Sequence, residues 1–176
     1  MKHDNAMENE VSEDILDVGG DIINSERFKK ARSIPHHFDY DVAAHSLDAA
    51  ECALSICRIL KRLNIPVEQE DAIRASLLHD LGMTEDEVFD SPPSEKAYTH
   101  PEEGARIATE EYGANEVQID AILHHMWPIG HIIPHHTSGW ILVAADKMSS
   151  IRETGSYAAR QIAQTMQSVT KRRKDT

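Results

Sequence analysis

Residues 42–63, VAAHSLDAAECALSICRILKRL, form the longest uninterrupted helical pattern in the chain, and this pattern limits the fold class. The run contains no proline or glycine. Its small and apolar residues recur every three or four positions, and alanine and leucine are strong helix formers. The stretch WILVAA at 140–145 has the composition of a strand, but the chain offers no second such stretch to pair with it. Further helical patterns cover residues 25–34, 68–80, 101–112, 115–126, 138–152 and 155–170. The sequence therefore predicts an all-α, single-domain bundle of about seven helices.

Prolines separate these helices and predict two loops. The acidic stretch 83–98 and the stretch 127–137 each contain two prolines, so both are expected to be loops. Pro101 is expected in the first turn of the next helix, where proline is tolerated. A chain of 176 residues is one domain by default. We predict a flexible acidic arm over 1–22, a folded domain over 23–170 and a basic tail over 171–176.

The charge balance excludes several classes of partner. The chain has 18 Lys and Arg against 30 Asp and Glu, a formal net charge of −12. Nucleic acid polymers and anionic membrane surfaces repel such a chain, so neither is an expected partner. No apolar run approaches the ~20 residues of a membrane span, and the N-terminal residues have no apolar signal core. Two cysteines are too few for a disulfide framework. We expect a cytoplasmic enzyme or binding protein.

The chain has 11 histidines, and several lie where an interior metal site needs them. A helical bundle surrounds an ion with imidazole and carboxylate groups from several helices. An aspartate within the apolar run WILVAADKMSS is costly unless a positive group pairs with it, and the alternatives here are a metal ion, Lys147 or Arg152. Ligands of nitrogen and oxygen without thiolate suit Mn, Fe, Co, Ni, Zn or Mg. The candidate ligands are His45, His79, Asp80, His100, His124, His125 and Asp146. His131, His135 and His136 lie in a Pro/Gly loop and are read as surface residues, or as substrate contacts if that loop lies near the metal site.

Five short strings carry a resemblance to a known family. They are AAHSLDAAECA, LLHDLG, THPEEGARIA, ILHHMWP and LVAADKMSSIRE. Their order, H…HD…H…H…D, resembles the HD-domain superfamily of metal-dependent phosphohydrolases over about residues 27–153. The string ILHHMWP is similar to the His-Met-Trp-Pro string of a subgroup of small bacterial members. His37 precedes His45 by eight residues, as in that subgroup and in the 5′-nucleotidases of the family.

The resemblance implies a helical domain around a central site for one or two divalent ions. It assigns to the first ion His45, His79, Asp80 and Asp146. It assigns to a second ion His100 and His125, with Asp80 bridging the two. His124 stays an alternative ligand, because both members of such a histidine doublet can bind metal in HD proteins. The implied reaction is attack by a metal-activated water on a phosphoester or phosphoanhydride of a small metabolite, a nucleotide above all.

The residues expected to act on the phosphate are basic. Arginine can bind phosphate through two parallel hydrogen bonds. Arg27, Lys30 and Arg32 precede the first ligand helix, and we expect one of them to contact phosphate, although a solvated helix face is the alternative reading. The full set predicted to bind substrate is Arg27, Lys30, Arg32 and His37. Asp80 is expected to orient the water or protonate the leaving group, and Lys147 to assist catalysis.

Several alternatives stay open at the level of sequence. The ending ADK-x-S-x-x-x-E slightly favours a dinucleoside polyphosphate hydrolase over a cyclic-nucleotide phosphodiesterase. The segment LGMTEDEVFDSPP differs from the aromatic-rich segment of the relatives, so the resemblance does not identify the substrate of this chain. Within this segment, Glu85 and Asp86 are either a general acid or solvated loop charges. Rival functions are a diiron oxygenase and a non-catalytic nucleotide- or metal-binding module. The apolar side of the last helix leaves a homodimer open.

Overall fold

The described part of the chain is entirely helical. The structure, a computed structural model, describes residues 11–36, 40–83 and 93–174, with backbone alone for 93–98 and 167–174. Over these ranges there is no β-strand, and the helices are α1 (Glu13–Ile23), α2 (Glu26–Ala31), α3 (Val42–Arg62), α4 (Gln69–Leu78), α5 (Pro93–Tyr112), α6 (Glu116–His124) and α7 (Thr137–Lys174). The all-α class and the helix count are thus confirmed. None of these helices is both long and apolar enough to cross a membrane. His37, Glu85 and Asp86 lie outside the described residues.

Helix α1 occupies a region where the sequence predicted a flexible arm, and this is a difference from the prediction. Ile15, Gly19 and Ile22 recur at helical spacing and are buried. A Cβ on Gly19 would lie 2.2 Å from Leu77 Cδ1 of α4, so glycine allows the two helices to approach closely. Glycine within a helix costs free energy, and packing of this face on the core outweighs the cost of Gly19 and Gly20.

Two other boundaries also differ from the prediction. Helix α5 begins at Pro93, so Pro101 lies inside the helix and not in its first turn. Pro93 takes the first position, where proline is tolerated, and buried residues that follow Pro101 hold the helix on the core. The two predicted helices at 138–152 and 155–170 are the single helix α7. Gly155 does not divide it, because one glycine in a helix costs only about 1 kcal/mol.

Four helices surround the middle of the bundle. Helix α3 packs on α4 and α7, and α4 also contacts α1, α6 and α7. Helix α6 lies between α5 and α7. The main core cluster includes Phe28, Leu54, Ile73, Leu77 and Ile122, all fully buried. This arrangement brings the ends of α4 and α6 towards the first turn of α3 and the N-terminal half of α7.

Two glycines let α5 approach the turn that follows α4. A Cβ on Gly82 would lie 2.4 Å from the backbone nitrogen of Gly104, and a Cβ on Gly104 would lie 2.7 Å from the backbone oxygen of His79. Real Cβ atoms do not approach backbone so closely, so both positions require glycine in this arrangement. The contact holds the middle of α5, with His100, beside the His79–Asp80 doublet.

Candidate metal centre

Histidine and aspartate side chains from five helical elements converge in the bundle interior. His45 comes from α3, the His79–Asp80 doublet from the end of α4, and Asp146 from α7. His100 lies in α5 and His125 directly after α6. Except for Asp146, which keeps slight exposure, these side chains are buried. Six of the seven predicted ligands therefore share one site.

The two carboxylate oxygens of Asp80 face different histidines. Asp80 Oδ2 lies 3.3 Å from His79 Nε2 and 3.7 Å from His45 Nε2. Asp80 Oδ1 lies 3.5 Å from His100 Nε2 and 3.6 Å from His125 Nε2. The carboxylate thus stands between two groups of imidazoles, which is the position that a bridging ligand requires.

In His79 and His125, the ring nitrogen that faces away from Asp80 is hydrogen-bonded to a backbone carbonyl oxygen. His79 Nδ1 lies 2.8 Å from the carbonyl oxygen of Ser76, and His125 Nδ1 lies 2.6 Å from that of Ile122. A carbonyl oxygen only accepts, so each Nδ1 carries the hydrogen and donates it. The Nε2 lone pair of His79 and His125 then faces the centre, which is the tautomer that a metal ligand needs.

His45 is held by a carboxylate instead of a carbonyl. Its Nδ1 donates to Glu153 Oε1 at 2.7 Å, and its Nε2 lies 3.2 Å from Asp146 Oδ1. Burial lowers the pKa of His45, but the hydrogen bonds to Asp146 and Glu153 and the Asp80 charge raise it to about 10. In the ion-free protein both ring nitrogens of His45 therefore hold a proton at neutral pH. An ion bound at Nε2 would displace the proton on that nitrogen.

The remaining pKa values also favour a bound cation. Burial raises the pKa of Asp80, but the neighbouring imidazoles of His79 and His36 lower it well below its ordinary value. Burial likewise opposes ionisation of Asp146, while its hydrogen bond to His45 lowers its pKa. For His125, burial and the neighbouring His79 and His100 lower the pKa to about 3. The site holds ionised carboxylates and a neutral imidazole, which are the ligand forms that metals bind.

One buried atom shows directly that the residues fit an ion. His79 Nε2 is buried and has no hydrogen-bond partner among the described residues. A buried polar atom without a partner costs free energy, and a metal ion would supply the missing contact. At this centre, three groups of described residues place their ligand atoms within 4.8 Å of one another: His36–His45–Asp80, His45–His79–Asp146 and His79–Asp80–His125. The donor set contains only nitrogen and oxygen, which suits a divalent transition metal or Mg²⁺.

Sequence reasoning missed His36 and Glu153. His36 Nε2 lies 3.1 Å from Asp80 Oδ2, and its ring stacks on His45 with centroids 4.0 Å apart. An isolated bridge between Pro35 and Asp41 holds it there. Glu153 is fully buried beside His45. It lies about two helical turns after Asp146 on α7, so the same face of the helix was a signal that could have found it.

The predicted cations have different surroundings. Lys147 Nζ lies 3.0 Å from Asp146 Oδ2 and 3.2 Å from the His125 carbonyl oxygen, so Lys147 borders the centre. The Asp146 carboxylate can therefore pair with a metal ion or with Lys147. Arg152, the third candidate partner, pairs with Asp48 instead. Arg27 forms an ion pair with Glu111.

Helix α2 borders a groove outside the centre. The groove has a volume of about 540 Å³, and Arg27 and Lys30 line it together with Gly82 and Met83. Three glutamates also line it, Glu26, Glu103 and Glu111. The carboxylates outnumber the cations, so the groove does not favour phosphate. No described contact joins Arg27, Lys30 or Arg32 to the centre, and a phosphate-binding role for them stays a prediction.

His124 does not join the centre. Its Nδ1 lies 2.8 Å from Asp120 Oδ1 on α6, and its neighbour His125 is the one that faces Asp80. The geometry of the central site favours His125 over His124, and which of the two binds a metal stays a prediction. Successive residues of a helix point about 100° apart, so the two side chains cannot share one direction.

Comparison with known proteins identifies the family. A model of the HD domain matches residues 42–155, which include the ligands from His45 to Asp146. No curated protein and no solved structure matches the chain significantly. HD domains bind divalent metals, and the family consists mostly of metal-dependent phosphohydrolases, which indicates metal-dependent hydrolase activity in general. The resemblance carried by the five strings is confirmed, and the chain belongs to the HD domain family.

Proposed function

We propose that the chain is a phosphohydrolase that cleaves a phosphoester or phosphoanhydride bond of a small phosphorylated metabolite, with nucleotides as the first class to test. The observation that supports this most strongly is the position of Asp80 between two groups of imidazoles. Two ions that share one carboxylate can contact both the attacking and the leaving oxygen of a phosphoryl group. A diiron oxygenase would use a similar ligand set, but no contact in the structure favours it.

The ligands divide into two sets under this proposal. The first set is His45, His79, Asp80 and Asp146, with His36 beside it. The second set is His100 and His125, with Asp80 shared. When bound, divalent ions neutralise charge on phosphoryl oxygens and lower the pKa of a coordinated water to about 7. His100 Nε2 and His125 Nε2 lie 3.1 Å apart, so one ion would contact both.

The chain's own residues supply positioning and charge. Asp80 is ionised and lies where it would orient the attacking water. Lys147 is 39% exposed while its ammonium touches Asp146, so it reaches from the centre to solvent. That position suits an ammonium that binds a phosphate oxygen of an entering substrate. Glu153 holds His45 in place and does not contact substrate in this proposal.

The test combines ion counting with a substrate screen. Chelator-treated full-length protein is reloaded with Mn²⁺, Fe²⁺, Co²⁺ or Ni²⁺, and bound ions are counted in wild type, His79→Ala and His100→Ala. His136→Ala, an exposed loop histidine, is the matched control. Each loaded form is then offered nucleoside mono-, di- and triphosphates, dinucleoside polyphosphates and cyclic nucleotides, and released phosphate or nucleotide is measured.

The expected result is hydrolysis by wild type and the control, and at least a hundredfold loss in both site variants. His79→Ala should lose both central ions and His100→Ala one. An unchanged ion count in His100→Ala would refute the second ion and move His100 and His125 to substrate contacts. Consumption of O₂ without hydrolysis would establish an oxygenase. No ion bound at the centre would leave a non-catalytic module.

A further inference from the structure

A second cluster of metal-ligand side chains lies apart from the centre, at the end of α6. Asp120 Oδ1 is 2.8 Å from His124 Nδ1 and 2.7 Å from His135 Nδ1. The two imidazole rings meet edge to face, with centroids 5.4 Å apart. Ligand atoms of all three residues lie within 4.8 Å of one another. None of the described contacts of these side chains reaches Asp80 or Asp146.

The loop after His125 is folded onto this cluster. Asp120 Oδ2 accepts the backbone N–H of His135 at 2.9 Å and that of His136 at 3.2 Å. Asp120 and His124 are mostly buried, whereas the side chain of His135 is 66% exposed. The cluster therefore has a fixed inner part and one ligand on an open surface, so an ion can enter from solvent.

We propose that Asp120, His124 and His135 bind one divalent transition-metal ion, such as Zn²⁺, Ni²⁺, Co²⁺ or Cu²⁺. A set of two imidazoles and one carboxylate binds these transition-metal ions better than it binds Mg²⁺ or Ca²⁺, which prefer oxygen ligands. In the ion-free protein both Nδ1 atoms point their hydrogens at one carboxylate oxygen. An ion would take the place of those two hydrogens, and each imidazole would then carry its hydrogen on Nε2 instead.

The spacing of the ligand atoms fits such an ion after a small movement. Two ligands about 2.1 Å from an ion stand about 3 Å apart when they are at right angles, and about 3.4 Å apart in a tetrahedral site. The nitrogen–oxygen distances of 2.7 and 2.8 Å are slightly shorter. Each pair must open by roughly 0.2–0.7 Å. His135 can move on its exposed loop, and the Asp120–His124 pair can open by side-chain rotation on α6.

The ion would fasten the loop over residues 125–136 to α6. This loop begins at His125, a ligand of the central site, and it exposes Ile129, Ile132 and Ile133. Occupancy would therefore limit motion of the segment that leaves the centre. The inference does not depend on the proposed hydrolase reaction, because none of its three ligands belongs to the central set.

The test counts ions in variants of the full chain. Equilibrium dialysis of chelator-treated protein against Ni²⁺ or Zn²⁺ compares wild type with His135→Ala and Asp120→Asn. His136→Ala is the matched control, since it removes an exposed imidazole of the same loop and keeps the backbone N–H to Asp120. The same comparison is repeated in the His79→Ala background, which disables the centre. Amide hydrogen exchange follows residues 125–136 with and without the ion.

The expected result is one ion fewer per chain in His135→Ala and in Asp120→Asn, and the wild-type count in His136→Ala. The difference should persist in the His79→Ala background, and ion binding should slow exchange of the His135 and His136 amides at least tenfold. A wild-type count in His135→Ala would overturn the proposal, as would equal loss in His136→Ala. His135 is exposed, so its variant should fold, and unfolding curves of the ion-free proteins verify this.

Discussion

Replacing Glu153 by glutamine should weaken ion binding at the centre by 10- to 100-fold, or about 1.4–2.7 kcal/mol. Glu153 is fully buried, and its Oε1 accepts from His45 Nδ1 at 2.7 Å and from Ser149 Oγ at 3.3 Å. Glutamine keeps the shape and an acceptor oxygen but removes the charge. A hydrogen bond to a charged group is worth about 1.5–3 kcal/mol and a neutral one about 0.5–1.5, so the difference agrees with the lower part of this range.

The assay is competition with a chelator of known affinity, applied to wild type and Glu153→Gln. Glu116→Gln makes the same chemical change at an exposed position on α6 and is the control. We expect the control to bind as wild type does. Wild-type affinity in Glu153→Gln would refute the argument that this carboxylate tunes His45. An equal loss in the control would show that the effect is one of overall charge.

The same pair of residues predicts proton release when the ion binds. The pKa of His45 is raised from 6.5 to about 10 in the ion-free protein. Because the folded value lies above the unfolded one, protonated His45 stabilises the ion-free fold fully below pH 6.5, and this contribution is lost as pH rises through about 10. At pH 7.5 ion binding should therefore release about one proton from His45. Titration calorimetry in two buffers of different ionisation enthalpy measures it, and heats that do not depend on the buffer would contradict it.

Two further predictions concern packing and pH. Gly104→Ala would place a Cβ 2.7 Å from the His79 backbone oxygen, so it should destabilise the fold by about 1–3 kcal/mol in thermal unfolding. Gly20→Ala, with nothing within 4 Å, is the control, and equal melting temperatures for both variants would count against this packing. The hydrogen bond from Arg74 lowers the pKa of Asp21 below 3.8, so this pair stabilises the fold above that pH and loses its effect as pH falls below it. The stability gap between wild type and Asp21→Asn, at most about 1 kcal/mol, should stay constant from pH 7 to about 4.5 and shrink as pH falls below 3.8, and a gap that widened there would contradict the assignment.

The sequence alone pointed to most of the residues that meet at the centre, because those residues lie on or at the ends of helices with strong local patterns. His45 lies within an uninterrupted helical run, and Asp146 is a charge inside an apolar run. Both features are local and can be read without knowledge of packing. The helical class follows in the same way, since the apolar spacing of α3 and α4 is a property of each segment.

Helix boundaries and the supporting residues depended on contacts between segments. Helix α1 exists because Ile15 and Ile22 find a core to cover, and Gly155 lies within α7 because one glycine cannot end so long a helix. His36 reaches Asp80 because a bridge at Pro35 holds a short segment against the start of α3. None of these contacts is between neighbours in sequence.

The histidine doublet at the end of α6 separates the two kinds of information most clearly. The sequence determined that two adjacent histidines end this helix, and that at least one of them lies near the centre. Only the packing of α6 between α5 and α7 decided that His125 turns towards Asp80, while His124 turns towards Asp120 and the returning loop. The physical reason is the helix itself, because residues one position apart face directions about 100° apart, and the surrounding helices set which direction is the interior.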